Sequence, residues 1–369
     1  MVSNLMQKLP IEVRRIILSL VPQQELLSIR KVSDDWFCTQ VIDYIISANR
    51  GTVSIIFEQR SLEAFLQICD IARFTPQVHT LRICMRHILS LDERRHFDDT
   101  EGVEDDADND RDAYGTWASE DSLLRLNEQC ELMRNYAFLK CFQEALQTLT
   151  ICKTIVFTDG ELPRDVCSPA EDVDPSHYHG LVLNSGDSIA FVTKSLDVVL
   201  NGPNLPHLEA ITFDIGQFSV KDRDGLKPTM LPSLSGLVAN VRRLSLNLDH
   251  KFIDTPDLRT FVSGFPELQE LRLEVADEDW MFGTLPFLSN MAIPKLRKLN
   301  LEWLACEMHE LNNFLLQHQD TSSHIVLDRV FLHGTRSWDR IHQALTQRLN
   351  LQEIVMKDCG IASDEIAEA

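Results

Sequence analysis

The chain has few of the residues that build fibres or knit small secreted domains. Its 369 residues include 14 glycines and 14 prolines, too few for a fibrous or wholly disordered protein. Basic side chains are also scarce: 35 Lys and Arg face 56 Asp and Glu, a net charge of −21 that a nucleic-acid duplex would repel. The nine cysteines form no CxxC pair and are odd in number, which argues against a disulfide framework or a zinc ribbon. Several fall at apolar-periodic positions, where a free thiol behaves as a small core residue. No apolar run approaches the 18 or so residues of a membrane span. The first apolar run, Ile16 to Val21, is short and follows Arg14 and Arg15, so no secretory signal is read. No Asn-x-Ser/Thr sequon occurs. These absences lead us to expect a cytoplasmic or nuclear protein, or one present in both, with neither membrane nor nucleic acid as partner.

What is present is an ordinary globular balance, 44% apolar and 25% charged. A chain of this length holds two or three domains unless a repeat array makes it one long unit. The first 50 residues stand apart: six basic and five acidic side chains leave them near neutral, so residues 51–369 carry about −22. Pro10 suits the first turn of a helix, and Val13, Ile16, Ile17 and Leu20 follow at helical spacing until Pro22. Leu26, Leu27, Ile29 and Val32 mark a second helix. Ser33 and two aspartates open a third through Trp36, Phe37, Val41, Ile42 and Ile45. Three such helices bury little surface alone and need a partner or the following domain.

Beyond residue 53 the pattern turns to short β-type runs alternating with helices. An apolar-x-x-apolar-x-apolar triplet starts at Val78, Leu146, Leu208, Val241, Leu268, Leu296, Leu327 and Leu351. At this composition about 9% of windows match by chance, so single matches carry nothing. The last five intervals, 33, 27, 28, 31 and 24 residues, do carry weight, because they approach the period of leucine-rich repeats. Amphipathic helices are read between the strands over 254–266, 279–291, 306–318 and 337–349. The expected fold is therefore α/β: a parallel sheet in a repeat solenoid, or horseshoe, over 51–369. An ordinary doubly wound domain is the alternative, disfavoured by the lack of a glycine-rich strand–helix turn. Two insertions interrupt the period. The stretch 98–112 holds nine acids and one arginine and is expected to be disordered, within a loop spanning 92–118. A helix is read from about Ser119 to Leu146. The segment 159–187 holds three prolines and reads as a long loop.

Catalytic and metal signals fail on spacing. A calcium loop starting at Asp106 would put Arg111 where glycine belongs and Trp117 where the bidentate glutamate belongs. His177-x-His179 has no further ligand at zinc spacing, and the sequence from His309 lacks the second histidine of a zinc-protease helix, having Asn313 there. No nucleophile elbow, phosphate loop or dinucleotide fingerprint occurs, so neither an enzyme, a metal nor a cofactor is expected.

The informative surface is the solvent face of the sheet. Period-two alternation predicts three outward rows across the regular units. They are Arg243, Glu270, Lys298, Arg329, Glu353; then Ser245, Arg272, Asn300, Phe331, Val355; then Asn247, Glu274, Glu302, His333, Lys357. Arg243, Arg272, Lys298, Arg329 and the apolar Phe331 are the substrate-binding candidates, with Trp303 near the rim.

The N-terminal segment resembles the F-box. The matching residues are Leu9, Pro10, Glu12, Ile17, Leu26, Arg30, Val32, Ser33 and Trp36, without a gap. The repeats look like those of the leucine-rich class of F-box proteins, and Ser337-Trp338 resembles a variant common in fungi. The resemblance implies a three-helix F-box over 1–50 that docks on the Skp-type adaptor of a cullin–RING (SCF) ubiquitin ligase. Leu9, Pro10, Ile17, Leu26, Val32 and Trp36 would make the adaptor contact. The repeats would hold an unknown protein substrate, and the chain would contribute proximity rather than chemistry. A scaffold that binds the adaptor without delivering a substrate is the alternative.

Overall fold

The structure, a computed structural model, describes residues 9–21, 35–56, 59–85, 87–88, 127–129, 131–132, 137–160, 178–179, 194, 197–198, 200–201, 207–215, 231, 238–248, 256–275, 291–333, 338, 341 and 351–361. The expected second helix with Leu26 and Val32, and the acidic stretch 98–112, lie outside them. So do most of the expected helices over 279–291 and 337–349.

The fold is α/β. Nine parallel strands form one sheet in chain order: β1 (Thr52–Ile56), β2 (Thr80–Cys84), β4 (Thr154–Thr158), β6 (Ala210–Asp214), β7 (Arg243–Leu248), β8 (Glu270–Val275), β9 (Lys298–Glu307), β10 (His324–His333) and β11 (Glu353–Lys357). A tenth strand, β12 (Gly360–Ile361), pairs with β10. Each new strand joins the same edge of the sheet, so strand order never reverses and the switch point of a doubly wound sheet is absent from this path. Pairing partners recur at nearly constant offset: Thr52 with Thr80 (28 residues), Arg243 with Glu270 (27), Glu270 with Lys298 (28), Lys298 with His324 (26) and His324 with Glu353 (29). Two insertions lengthen the offsets flanking β4.

Local sequence explains the strands. Each strand from β1 to β10 on this path presents two apolar residues to the core in alternation, Val53 and Ile55, Leu81 and Ile83, Ile155 and Phe157, and so on through Ile325 and Leu327, all at most 2% exposed, whereas Ile354 and Met356 of the edge strand β11 are exposed. Two residues before each of the strands β2, β4 and β6–β10 a further buried side chain enters the core: Val78, Cys152, Leu208, Val241, Leu268, Leu296 and Ser322. The residue just before each strand then links the units. Its carbonyl accepts two backbone N–H groups from the next unit, an arrangement that uses both lone pairs. The relay runs from Gly51 through His79, Lys153, Glu209, Arg242, Gln269 and Arg297 to Ser323.

Helices cover the core side. Among the described residues they are α1 (Ile11–Leu20), α2 (Asp35–Ala48), α3 (Gln59–Asp70), α4 (Ala137–Thr148), α5 (Pro256–Ser263) and α6 (Met308–Gln317). Phe157 stacks on Phe213 at 5.2 Å between ring centroids, and Phe213, Phe261 and Phe265 continue edge to face into α5. Leu18 of α1 and Ile42, Ile45 and Ile46 of α2 belong to the same continuous core as the sheet. The chain leaves α2 through a Schellman turn: Gly51 N–H donates to the Ile46 carbonyl, Arg50 N–H to that of Ser47, and Arg50 takes the left-handed conformation (φ 54°).

Two expectations are corrected and one gains a detail. The triplet at Leu146 is not a strand, because Leu146 and Leu149 close the buried face of α4 and the β-branched run Thr154, Ile155, Val156 makes the strand six residues later. The long loop 159–187 contains β5 (Tyr178–His179), antiparallel to β3 (His87–Ile88). The unit assigned from Leu327 begins instead at Ser322, which is buried where other units have an apolar residue, so His324 rather than Arg329 pairs with Lys298.

Candidate functional site

The side chains between the core residues form the sheet's opposite face, and the register sets which of them meet. The first row across β7–β11 is Arg243, Glu270, Lys298, His324, Glu353. The second is Ser245, Arg272, Asn300, Val326, Val355, and the third Asn247, Glu274, Glu302, Asp328, Lys357. Arg243, Arg272 and Lys298 keep their predicted rows, whereas Arg329 and Phe331 do not. Arg329 of β10 is left-handed at φ 53° and stands level with Trp303, the equivalent left-handed residue of β9 (φ 55°). Its guanidinium lies 4.1 Å from the Trp303 ring centroid. Asp358, between β11 and β12, is left-handed at the same level (φ 49°). The matched left-handed residues Trp303 and Arg329 shift the alternation by one in both strands, so Leu304 and Val330 are buried where the phase set by Leu301 and Leu327 would expose them. Phe331 consequently packs against Gly360, half-buried, and is not an open anchor.

Arg272 is the centre of the face. Its Nη2 donates to Glu302 Oε2 at 2.6 Å and to Glu274 Oε2 at 2.9 Å, bridging β8 to β9. Asn300 Nδ2 donates to the other Glu302 oxygen at 2.7 Å. Partial burial by itself lowers the pKa of Arg272, but the hydrogen bond to Glu302 and the charges of Glu302, Glu274 and Asp214 outweigh it and hold the guanidinium above its ordinary value. Arg272 is thus committed within the protein rather than offered to an anion. Around it stand Asp214, Glu274, Glu302 and Asp328, so this part of the face is acidic.

Alternation places Asn247 on this face as well, between the core residues Leu246 and Leu248, yet it is only 5% exposed. Its Oδ1 has no hydrogen-bond donor, nor do Asn300 Oδ1 and Asp328 Oδ1, all three being buried atoms. Asp214 and Asp328 were missed in the sequence. The apolar triplet rule skipped the polar Ser322 and so misplaced the β10 row, although Ile325-x-Leu327 would have given the correct frame.

A second surface lies at the N-terminus. Val13, Ile16 and Leu20 lie along one side of α1 and are 38%, 59% and 77% exposed, while Leu18 turns into the core. Ile17 and Leu9 are half-buried and Pro10, which precedes the helix, is exposed. Trp36 lies in α2. Leu26 and Val32 are outside the described residues.

No protein-family model matches the chain, and no curated protein matches it. Among the described residues, no three His, Cys, Asp or Glu side chains are grouped as a metal ion requires, and no helix is long and apolar enough to cross a membrane. The described face offers hydrogen-bond acceptors, negative charge and an aromatic rim.

Proposed function

We propose that this chain is an F-box protein with leucine-rich repeats, the substrate-recognition subunit of an SCF ubiquitin ligase inside the cell. The observation that carries the proposal is the exposed apolar side of α1, Val13, Ile16 and Leu20, within the segment whose sequence resembles the F-box. A helix that turns large apolar side chains to solvent while its other side joins the core is built for a partner helix or groove. A parallel sheet grown in chain order at an offset of 26–33 residues supports the leucine-rich-repeat part. In this role the adaptor grips the N-terminal helices, and the sheet face holds the substrate near the charged conjugating enzyme. The chain adds local concentration and no bond-making groups.

The test is recovery of purified Skp-type adaptor by the full chain and by an Ile16→Asp/Leu20→Asp variant. Both positions are exposed, so the fold should survive, as circular dichroism would report. Adaptor recovery should fall more than about 10-fold, the scale of losing one interface hot spot. The Leu9→Ala/Pro10→Ala variant should show the same direction. Undiminished recovery from both variants would refute the assignment.

A further inference from the structure

We infer that the face of strands β7–β10 takes a basic peptide segment, with Asn247 and Asp328 receiving its cationic side chains. This rests on the proposed role of the sheet face as the substrate surface, and it names the substrate's chemistry. The sequence candidates were cations, which would have suggested an acidic or phosphorylated substrate. The geometry points the other way in the third row, because Arg272 is bonded there to Glu274 and Glu302 while Arg243 and Lys298 stand in the first row. Arg329 likewise lies over Trp303.

What is left unmet on the face is acceptors. Asn247 Oδ1 is buried without a donor in a side chain 95% removed from solvent, in the row that contains Glu274, Glu302 and Asp328. Asp328 keeps a buried carboxylate oxygen without a donor, and its register neighbours are Glu302 and Lys357. Asn300 Oδ1, one strand before it, is also unmet. The fold itself has no use for an unmet acceptor, since an apolar residue would fill the same space at lower cost. Guanidinium and ammonium groups carry several N–H donors and no acceptor, the complement of this set. The third row holds the carboxylates Asp214, Glu274, Glu302 and Asp328, with Arg272 beside it and Lys357 at its far end, while Arg243 and Lys298 stand apart in the first row, so the charge next to Asn247 and Asp328 is negative.

Spacing constrains the ligand further. Asn247 and Asp328 lie three strands apart, about 14 Å at the usual inter-strand distance. An extended peptide covers this span in about four residues and turns side chains i and i+4 to the same side. Two basic residues at that separation would reach both ends of the row and pass over the neutralised centre at Arg272.

The experiment is fluorescence anisotropy of the full chain with a labelled Gly-Arg-Gly-Gly-Gly-Arg-Gly peptide and its citrulline counterpart. Asp328→Asn and Asn247→Val should each weaken the arginine peptide at least about 5-fold, and the citrulline peptide should bind weakly throughout. Glu63→Gln, an exposed acid on α3, removes one negative charge elsewhere and should leave affinity unchanged. Equal weakening by Glu63→Gln would mean attraction to net charge alone and would overturn the inference, as would unchanged affinity in the two face variants. Adaptor recovery is measured on the same samples. A wild-type chain that binds the adaptor but does not prefer the arginine peptide to the citrulline one overturns only this inference, whereas peptide capture by a chain that never binds the adaptor overturns only the ligase assignment.

Discussion

Replacing Asn247 by valine should stabilise the protein while it weakens peptide capture, an opposition that a merely structural asparagine would not produce. The side chain is 5% exposed, lies in a strand between Leu246 and Leu248, and holds an acceptor with no donor. Leaving such a group buried and unmet costs about 1–3 kcal/mol, and valine removes that cost. Valine also suits a pleated strand better than asparagine, within a scale of about 1 kcal/mol. A misfit of the added methyl would subtract up to about 1 kcal/mol, so the net expectation is a gain of about 1–3 kcal/mol. At about 2.1 cal/mol/K per residue the unfolding entropy of this chain makes 1 kcal/mol worth little more than about 1 °C. The melting temperature should therefore rise by about 1–4 °C. Urea unfolding of wild type and variant side by side gives the more sensitive reading. A fall of the midpoint would show that Asn247 is satisfied in solution and refute the reasoning.

Gly51 stands at φ +74°, and a methyl there would strike the Gln77 carbonyl oxygen and lie 2.7 Å from His79 Cδ2. Gly51→Ala should accordingly cost more than about 2 kcal/mol, whereas Arg50→Gly, relieving a left-handed arginine, should gain about 0.5–1 kcal/mol, both read from urea midpoints. His318 donates through Nδ1 to the Phe314 carbonyl at 2.8 Å and accepts the Ile293 N–H on Nε2 at 2.9 Å, so it is held neutral; burial lowers its pKa, opposed in part by the bond to Phe314. Since the unfolded chain takes up this proton first, stability is full above about pH 6.5 and falls as pH drops towards the folded value, by at most about 1.4 kcal/mol per pH unit. His318→Gln should flatten that dependence between pH 7 and 5, and an unchanged slope would remove His318 from the account. Burial pushes the Cys69 and Cys152 thiols up to about 12 and about 11, and raises that of Cys306 as well. Native protein at pH 8 should leave these three unmodified by a thiol reagent while Cys359, about half-buried, reacts before them; early labelling of Cys152 would contradict the packing.

The strands were legible wherever alternation was clean. Leu244-x-Leu246, Leu271-x-Leu273 and Leu299-x-Leu301 were read in the frame that the structure keeps, because period-two burial is a local property of the chain. The rows holding Arg243, Arg272 and Lys298 followed from that frame. Two readings failed where local signals were ambiguous. Leu146 and Leu149 fit a helix face as well as a strand, and only packing of α4 against α3, with Phe142 5.9 Å from Phe65, decides between them. Ser322 occupies an apolar position, tolerated because the small hydroxyl side chain is buried beside a turn whose backbone hydrogen bonds run to His318.

The sequence by itself determined which residues alternate, the repeat spacing, the acidic balance and the amphipathic N-terminal helix, since each depends on neighbours within a few positions. The tertiary structure decided which side of α1 meets solvent, where β10 sits in the sheet, and that Arg272 belongs to Glu274 and Glu302 rather than to a ligand. Those outcomes depend on groups 2 to 30 residues away, joined by register, and a left-handed residue such as Trp303 or Arg329 shifts the frame of everything after it.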